Sequence, residues 1–480
     1  MSLKKQALNG FIWTYAEQSL GQIINFFVNI ILARKLFPSD FGLIGLLFIF
    51  VTISNVLVDG GLKTSLIRKK DASDLDYSTV FYVNVIFSLI IYFSIFFAAP
   101  FIAEYYHNEE LSLLLRVFSL TIIIQSVVFV QSAILVKDFN FKKQTMLKIP
   151  AIILSSIVGV YLALHNFGIW SLVWMYLLQA FFWAIFHYMY STWFPKWKFD
   201  KKLFYFHFNY GSKLTVVEIL NSITANIYQI VIGKFYNIKY VGYYSQALTL
   251  RQVPISNVYG AFSKLLLPIF SKIQDDEKQI IIIYKKILSC LLVILSPILL
   301  ILAFFSDEII VFLYTSKWKF AGLFLFYLSI AGVFNVIYTF STSVLSIIGN
   351  SKLILKMEMI NKIQRFCLIF FALIFSLTIN YFLYVVLIST IINYLLVNYY
   401  TSKIIKINSI ELVSVFIQIL CISIFCFYGS YLFYRYFSIS NNFILNFTIA
   451  IAIGLICYLF LIYLFKPKII EDLKNLLNKK

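Results

Sequence analysis

Polar side chains that could hold a charged or hydroxylated ligand recur at helical spacing within apolar stretches. Near the N-terminus, four amides are spaced by four, three and four residues: Gln18, Gln22, Asn25 and Asn29. This spacing places them on one helical face, with Glu17 beside it. Such a face either binds neighbouring helices together or lines a water-filled cavity. Four amides exceed what helix contact requires, and both explanations remain open.

A second polar set follows about 200 residues later, and it includes Glu218, Asn221, Tyr244 and Arg251. Arg251 is the first candidate for binding an anion, because its guanidinium is always charged and can form two parallel hydrogen bonds with phosphate. If its helix is short, Arg251 lies instead in the cytoplasmic interface. Asp59 is expected to cap a helix, to pair with Lys63, or to carry a coupling ion.

The composition indicates a membrane protein, because 61% of the residues are hydrophobic and 13% are charged. Soluble domains are about 45–50% apolar and about 25% charged. The net charge of +19 falls between apolar runs, so it predicts membrane orientation and no nucleic-acid partner. The cysteines form no C-x-x-C pair, and no cofactor or metal site is predicted. The four histidines are expected at membrane interfaces: His107, His165, His187 and His207.

Apolar runs near 20 residues, the length that crosses about 30 Å of hydrocarbon, predict an all-α integral membrane protein with about fourteen spans. The predicted spans are 11–33, 41–62, 78–103, 113–135, 147–165, 169–191, 210–233, 241–268, 287–305, 320–348, 360–379, 381–400, 412–437 and 443–465. Lys and Arg concentrate in the loops on one side, including Arg68, Lys69 and Lys70. Positive charge stays in the cytoplasm during insertion, so both termini are predicted to be inside.

A faint internal repeat divides the chain. Residues 31–34 and 41–42 resemble residues 231–234 and 241–242, at an offset of 200 residues and six helices. An even number of helices gives both copies the same orientation, so the halves are related by an axis along the membrane normal unless the match is coincidental. The repeat predicts an N-terminal lobe (1–200), a C-terminal lobe (201–408) and an appendage of two helices with a tail (409–480).

Short segments along the first 275 residues carry a family resemblance. They are residues 33–43, 62–68 and 133–142, and, in the second half, residues 232–234, 241–245 and 267–268. In this order they resemble the multidrug/oligosaccharidyl-lipid/polysaccharide exporter superfamily, in particular its polysaccharide flippases of the O-antigen and colanic-acid type. Beyond residue 318 the resemblance is mostly one of hydropathy.

The resemblance implies two parallel six-helix lobes around a central cavity. By alternating access, such a protein moves an undecaprenyl-pyrophosphate-linked oligosaccharide across the bacterial plasma membrane for surface polysaccharide synthesis. It also implies cavity cations that hold the pyrophosphate, for which Arg251, Lys213 and Lys63 are the candidates. Membrane lipids, glycosyltransferases and a polysaccharide polymerase are the further partners it implies.

Ion coupling is the point at which the chain departs from the family pattern. Relatives often have an acidic residue before the Ile-Gly-Lys segment, where this chain has Tyr228 and Gln229. Coupling to a proton or to sodium would then fall to Glu17, Asp59 or Glu218.

Rival functions remain. A drug or cation antiporter of the same superfamily would favour an acidic cavity, and the lipid II flippase branch would differ in being essential for growth. A membrane polymerase or transferase would need catalytic carboxylates or histidines, such as His107 with Glu109. Since no predicted loop exceeds about twenty residues and flipping needs no covalent chemistry, the protein is expected not to be an enzyme.

Overall fold

The computed structural model of the protein describes residues 3–349, 351–375, 378–437 and 443–465. Within these ranges the chain forms eighteen α-helices, a short 3-10 helix (Ser316–Trp318) and no β-strand, which confirms the all-α class. The helices are α1 (Leu3–Lys35), α2 (Pro38–Asp59), α3 (Leu62–Arg68), α4 (Asp74–Tyr105), α5 (Glu110–Phe118), α6 (Leu120–Ser126), α7 (Phe129–Lys137), α8 (Phe141–Leu164), α9 (Ile169–Tyr190), α10 (Lys201–Phe235), α11 (Ile238–Phe270), α12 (Glu277–Phe304), α13 (Ser306–Tyr314), α14 (Ala321–Ile347), α15 (Ser351–Ile374), α16 (Ile379–Ile405), α17 (Ser409–Tyr436) and α18 (Phe443–Phe465).

Eleven described helices are long and apolar enough to cross a membrane, or twelve if α5–α7 form one bent span. The multi-pass architecture is thereby confirmed, whereas the number fourteen and the orientation of the termini stay predictions. The other two predicted spans correspond to α1 and α15, which have 33 and 24 residues. Both are less apolar, because α1 carries the amide stripe and α15 carries Glu358, Lys362 and Arg365.

The fourth predicted span, 113–135, is not one straight helix. It consists of α5, α6 and α7, with a bend of 42° between α6 and α7. The hydroxyls of Ser119, Thr121 and Ser126 donate to backbone carbonyls three or four residues earlier. Such side-chain bonds compete with the helical backbone pattern and often bend helices.

The described chain divides into two compact units, Met1–Ser245 and Gln246–Lys480. In the first unit, α8 packs against α1 and α9, and α10 packs against α2, α3 and α4. In the second unit, α14 packs against α12 and α16. The predicted lobe borders at residues 200 and 408 stay predictions.

The two C-terminal helices pack on α12 in the second unit. The hydroxyl of Tyr458 in α18 donates to the carbonyl oxygen of Val293 in α12 at 3.0 Å. The hydroxyls of Ser296 in α12 and Ser423 in α17 are also 3.0 Å apart. Because these polar contacts are buried in an apolar contact surface, they fix the register of α17 and α18 along α12.

A buried polar network joins α10 to α3 and α4. His207 Nε2 lies 3.0 Å from Asp76 Oδ1, and its Nδ1 lies 2.8 Å from the hydroxyl of Ser65. Asp76 also accepts from the ammonium of Lys69. His207 and His187 are 0% and 1% exposed, and their interfacial depth stays a prediction. Both ring nitrogens of His207 have partners, which lowers the cost of burying it. His187 Nδ1 lies 2.9 Å from the carbonyl oxygen of Trp183, and its Nε2 has no partner among the described residues.

Reciprocal glycine contacts join the start of α2 to the start of α11. A methyl group added at Gly42 would lie 2.0 Å from the carbonyl oxygen of Ile238, and one added at Gly242 would lie 1.9 Å from that of Pro38. Both distances are far below van der Waals contact, so only glycine allows the two backbones to approach this closely. The four positions are paired at the offset of 200 residues that defines the predicted repeat.

Replacing Gly242 by Ala should therefore force α2 and α11 apart and destabilise the protein by about 1–3 kcal/mol, the usual cost of overpacking. Gly260 is the matched control, because it lies in the same helix and a methyl group added there meets nothing within 4 Å. Thermal unfolding of the purified protein in detergent should show a lower midpoint for Gly242→Ala and no loss for Gly260→Ala. Equal midpoints would show that the close glycine contact does not exist.

Candidate substrate site in the first unit

A cavity of about 380 Å³ lies within the first unit and is called the N-terminal chamber here. Its walls come from α1, α2, α5, α6, α8 and α9. Its polar lining comprises three amides, one ammonium and one aliphatic hydroxyl: Asn25, Gln125, Gln179, Lys148 and Thr121. Its aromatic lining comprises four rings: Phe48, Phe118, Tyr176 and Trp183. Phe48 and Gln179 stand near the midpoints of α2 and α9, so the chamber lies at the depth of the membrane core.

The charge of the chamber comes from an ion pair between α1 and α8. Lys148 Nζ lies 2.8 Å from Glu17 Oε1, and the two side chains are 45% and 10% exposed. Lys148 lines the chamber and Glu17 does not. The carboxylate therefore compensates the positive charge from outside the lining. The ammonium keeps further N–H donors for the cavity.

Several polar groups of the chamber have no partner among the described residues. Asn25 and Gln179 make no hydrogen bond there, and neither does the hydroxyl of Tyr176. Gln125 uses its carbonyl oxygen to accept from the amide of Asn55 at 2.9 Å. Asn25 is exposed and Gln179 and Tyr176 are half-buried, so their polar groups can bind water or a polar ligand.

The four amides predicted on the first helix do not all face this cavity. Asn25 lines it, Gln18 is exposed, and Gln22 and Asn29 are half-buried elsewhere on α1. For Asn25 the structure thus favours the cavity over the alternative of a helix-binding contact. Among the described residues, no group of three His, Cys, Asp or Glu side chains could hold a metal ion.

Asp59 and Lys63 lie together where α2 meets α3. The backbone N–H of Lys63 donates to Asp59 Oδ1 at 3.1 Å, so Asp59 caps α3 as one of the expected alternatives. The ammonium of Lys63 donates to the hydroxyl of Ser132 at 3.2 Å. Burial lowers the pKa of Lys63, and the carboxylate of Asp59 opposes that shift. Lys63 lies near the predicted inner end of α2 and does not line the chamber.

The remaining predicted residues lie on α10 and α11. Lys213, Glu218 and Asn221 are exposed on α10, and Tyr244 is buried in α11. Arg251 belongs to the second unit, where it is 8% exposed and its Cδ lies beside Gly332 of α14. Because α11 continues to Phe270, Arg251 does not stand at the end of a short helix. Its role as the main anion-binding residue stays a prediction.

A family model described as a polysaccharide biosynthesis protein matches residues 31–321, more than half of the chain. The chain belongs to this family of polysaccharide biosynthesis proteins. The resemblance to proteins of polysaccharide synthesis, predicted from the motifs, is thereby confirmed.

Similarity to curated relatives covers most of the chain. The teichuronic acid biosynthesis protein TuaB of Bacillus subtilis (strain 168) is 24% identical over 473 residues, which cover 96% of both chains. The lipopolysaccharide biosynthesis protein WzxC of Escherichia coli (strain K12) is 22% identical over 335 residues, which cover 66% of this chain and 65% of its own.

Solved structures show the same fold. The lipid II flippase MurJ in an inward closed conformation has a TM-score of 0.72 at 20% identity, over 96% of this chain and all of its own. An inward-facing multidrug transporter of the MATE family has a TM-score of 0.61 at 15% identity, over 81% of this chain and 98% of its own. At these identities the likeness shows the fold alone.

Sequence reasoning missed Lys148 and the chamber residues of α6 and α9. Lys148 stands at the second position of the predicted span 147–165, where a lysine is normally taken to reach the interface. In the structure α8 begins at Phe141, so Lys148 lies two turns inside the helix. The lone amides Gln125 and Gln179 in apolar spans were the available signal, but they have no periodic partners on their own helices.

A double-mutant cycle should measure the Glu17–Lys148 pair. Glu17→Gln and Lys148→Met each leave an unpaired charge, whereas the double variant leaves none. The coupling energy from thermal unfolding should be about 0.5–3 kcal/mol, the range for contacting residues. The matched control is the pair Lys196–Asp74, whose side chains are 59% and 53% exposed and should couple by about 0.2–1 kcal/mol. Additive effects of the two chamber substitutions would refute the pairing.

Proposed function

We propose that this protein is a flippase that moves a lipid-linked oligosaccharide across the bacterial plasma membrane by alternating access. The observation that carries the proposal is an ammonium at the depth of the membrane core, held by Glu17 and presented to a polar chamber. Ionisable groups at this depth are rare and usually mark a substrate or ion pathway. The names of the relatives, which concern teichuronic acid and lipopolysaccharide synthesis, support a saccharide substrate.

The first step of the proposed mechanism brings the headgroup out of water. Free amides and hydroxyls replace the hydrogen bonds that its sugars lose, and cationic side chains reduce the cost of moving its pyrophosphate into a low dielectric. Arg251, Lys213 and Lys63 are the proposed phosphate ligands. The polyprenyl chain stays in the lipid, where it needs no polar partner. Both termini are proposed to lie on the cytoplasmic side. Glycosyltransferases and a polysaccharide polymerase are the proposed protein partners.

No covalent step is required, so the proposed activity is transport and not enzymatic catalysis. Proton or sodium coupling would use Glu17, Asp59 or Glu218. Their surroundings differ, because Glu17 is paired with Lys148, Asp59 caps α3, and Glu218 is exposed on α10. Only Glu17 bears directly on the charge of the chamber.

The rival of a drug or cation antiporter fits the chamber less well. A cationic ligand would meet the ammonium of Lys148, while the carboxylate of Glu17 lies outside the lining. Like charges at close range in a low dielectric repel strongly. The chamber therefore favours neutral or anionic ligands with many hydroxyl groups.

Replacing Lys148 by Gln should lower transport by about tenfold or more, because a hydrogen bond to a charged group contributes about 1.5–3 kcal/mol. Transport is measured as surface polysaccharide in cells that lack the chromosomal gene and express each variant at equal level. The control is Lys196→Gln, which removes an exposed lysine outside the chamber and should leave the polysaccharide unchanged.

Lipid-linked oligosaccharide should accumulate on the inner leaflet of the Lys148→Gln cells. Full polysaccharide with Lys148→Gln would contradict the assignment of the chamber to transport. Loss of a dye cation efflux, with the polysaccharide intact, would favour the antiporter.

A further inference from the structure

Polar groups without partners and aromatic rings meet in the N-terminal chamber. The proposed mechanism assigns free amides to the sugars of the headgroup, but it gives no role to the aromatic rings beside them. This combination therefore calls for a second explanation.

The aromatic wall of the chamber is tightly built. Phe48 packs edge-to-face against Tyr176 and against Phe118, with ring centroids 4.7 Å and 5.4 Å apart. These mutual contacts hold the rings in place, so their surfaces are pre-organised for a ligand. Flat rings fit the C–H faces of a sugar ring, as they fit other flat apolar surfaces.

The polar wall offers both donors and acceptors. Asn25 and Gln179 can each donate and accept, the hydroxyl of Tyr176 can do either, and Lys148 donates. A ring of hydroxyl groups needs this mixture, because every hydroxyl is at once a donor and an acceptor. An inorganic anion would use only the donors and leave the amide oxygens and the rings without a role.

The volume also exceeds what water alone requires. One ordered water needs about 10–15 Å³, whereas the chamber has about 380 Å³. That volume lies in the lower part of the range of about 300–1,000 Å³ that pockets for small organic ligands occupy.

We propose that the N-terminal chamber is a saccharide subsite that binds one sugar ring of the headgroup, separately from the cations that hold the phosphates. The ring packs on Phe48 and Tyr176, and its hydroxyls bond to Asn25, Gln179 and Lys148. This inference rests on the proposed function, since the sugar it describes belongs to the transported headgroup. It adds that recognition of the sugar needs neither the phosphate nor the lipid.

The test uses the full-length protein in lipid nanodiscs and soluble methyl glycosides of a hexose, an N-acetylhexosamine and a hexuronic acid. Saturation-transfer NMR should detect contact of ring protons of at least one glycoside with the protein. Gln179→Met keeps the side-chain length and removes both hydrogen-bonding atoms. It should weaken binding of that glycoside by about fivefold, the effect of one hydrogen bond of about 1 kcal/mol.

The matched control is Gln279→Met, which makes the same replacement at an exposed position in the first turn of α12. It should bind like the wild type. Absence of glycoside binding by the wild type, equal binding by Gln179→Met, or displacement of the glycoside by an organic cation would each overturn the subsite.

Failure of the proposed function gives a different result. If the wild type binds the glycoside through Gln179 but cells lacking the protein keep normal surface polysaccharide, the flippase assignment fails and the saccharide site stands. If the polysaccharide depends on the protein but no glycoside binds, the flippase assignment stands and the subsite fails.

Discussion

An ion pair between Glu17 of α1 and Lys148 of α8 keeps a positive charge beside the N-terminal chamber. An unpaired lysine within a membrane helix is costly. The carboxylate offsets part of that cost while leaving almost half of the lysine side chain exposed. Replacing such a pair by apolar residues is often neutral or stabilising, so stability alone does not account for its presence. The proposed function accounts for it, because the pair places a charged donor at the chamber, where the headgroup would bind.

Two close contacts between other helices stabilise the first unit. Glycines allow the starts of α2 and α11 to touch backbone to backbone, and the Asp76–His207 network joins α4 to α10. Neither contact involves the chamber, whose walls come from other helices and other faces of α2. The chamber is thus separate from these two contacts, and substitutions in its lining leave both of them intact.

Part of the chamber lining and the close glycine contact could be predicted from the sequence. The amide stripe of α1 could be found from its spacing, and Asn25 does line the chamber. The glycine pair could be found from the repeat at 200 residues. In both cases the signal lies within one helix or in the matching of two short segments.

What could not be predicted depends on contacts between distant segments. Lys148 looked interfacial, because the true start of α8 at Phe141 lies outside the apolar run. Gln125 and Gln179 could be recognised as lining one cavity only from the packing of α6 against α9. The bend after α6 follows hydrogen bonds from serine and threonine hydroxyls to nearby carbonyls. A hydropathy profile does not detect such bonds. His207 is buried because Asp76, 131 residues away in sequence, supplies a partner.

Reconstituted flipping tests the central claim most directly. The purified protein is placed in liposomes that carry a lipid-linked oligosaccharide with a fluorescent sugar, and a membrane-impermeant reagent quenches the sugars that face outward. The account predicts that the protein makes sugars of both leaflets accessible to the quencher, and that Lys148→Gln slows this exchange about tenfold relative to Lys196→Gln. It is contradicted if the protein leaves the inner-leaflet sugars protected, or if it moves a polyprenyl phosphate without sugar as fast as the oligosaccharide.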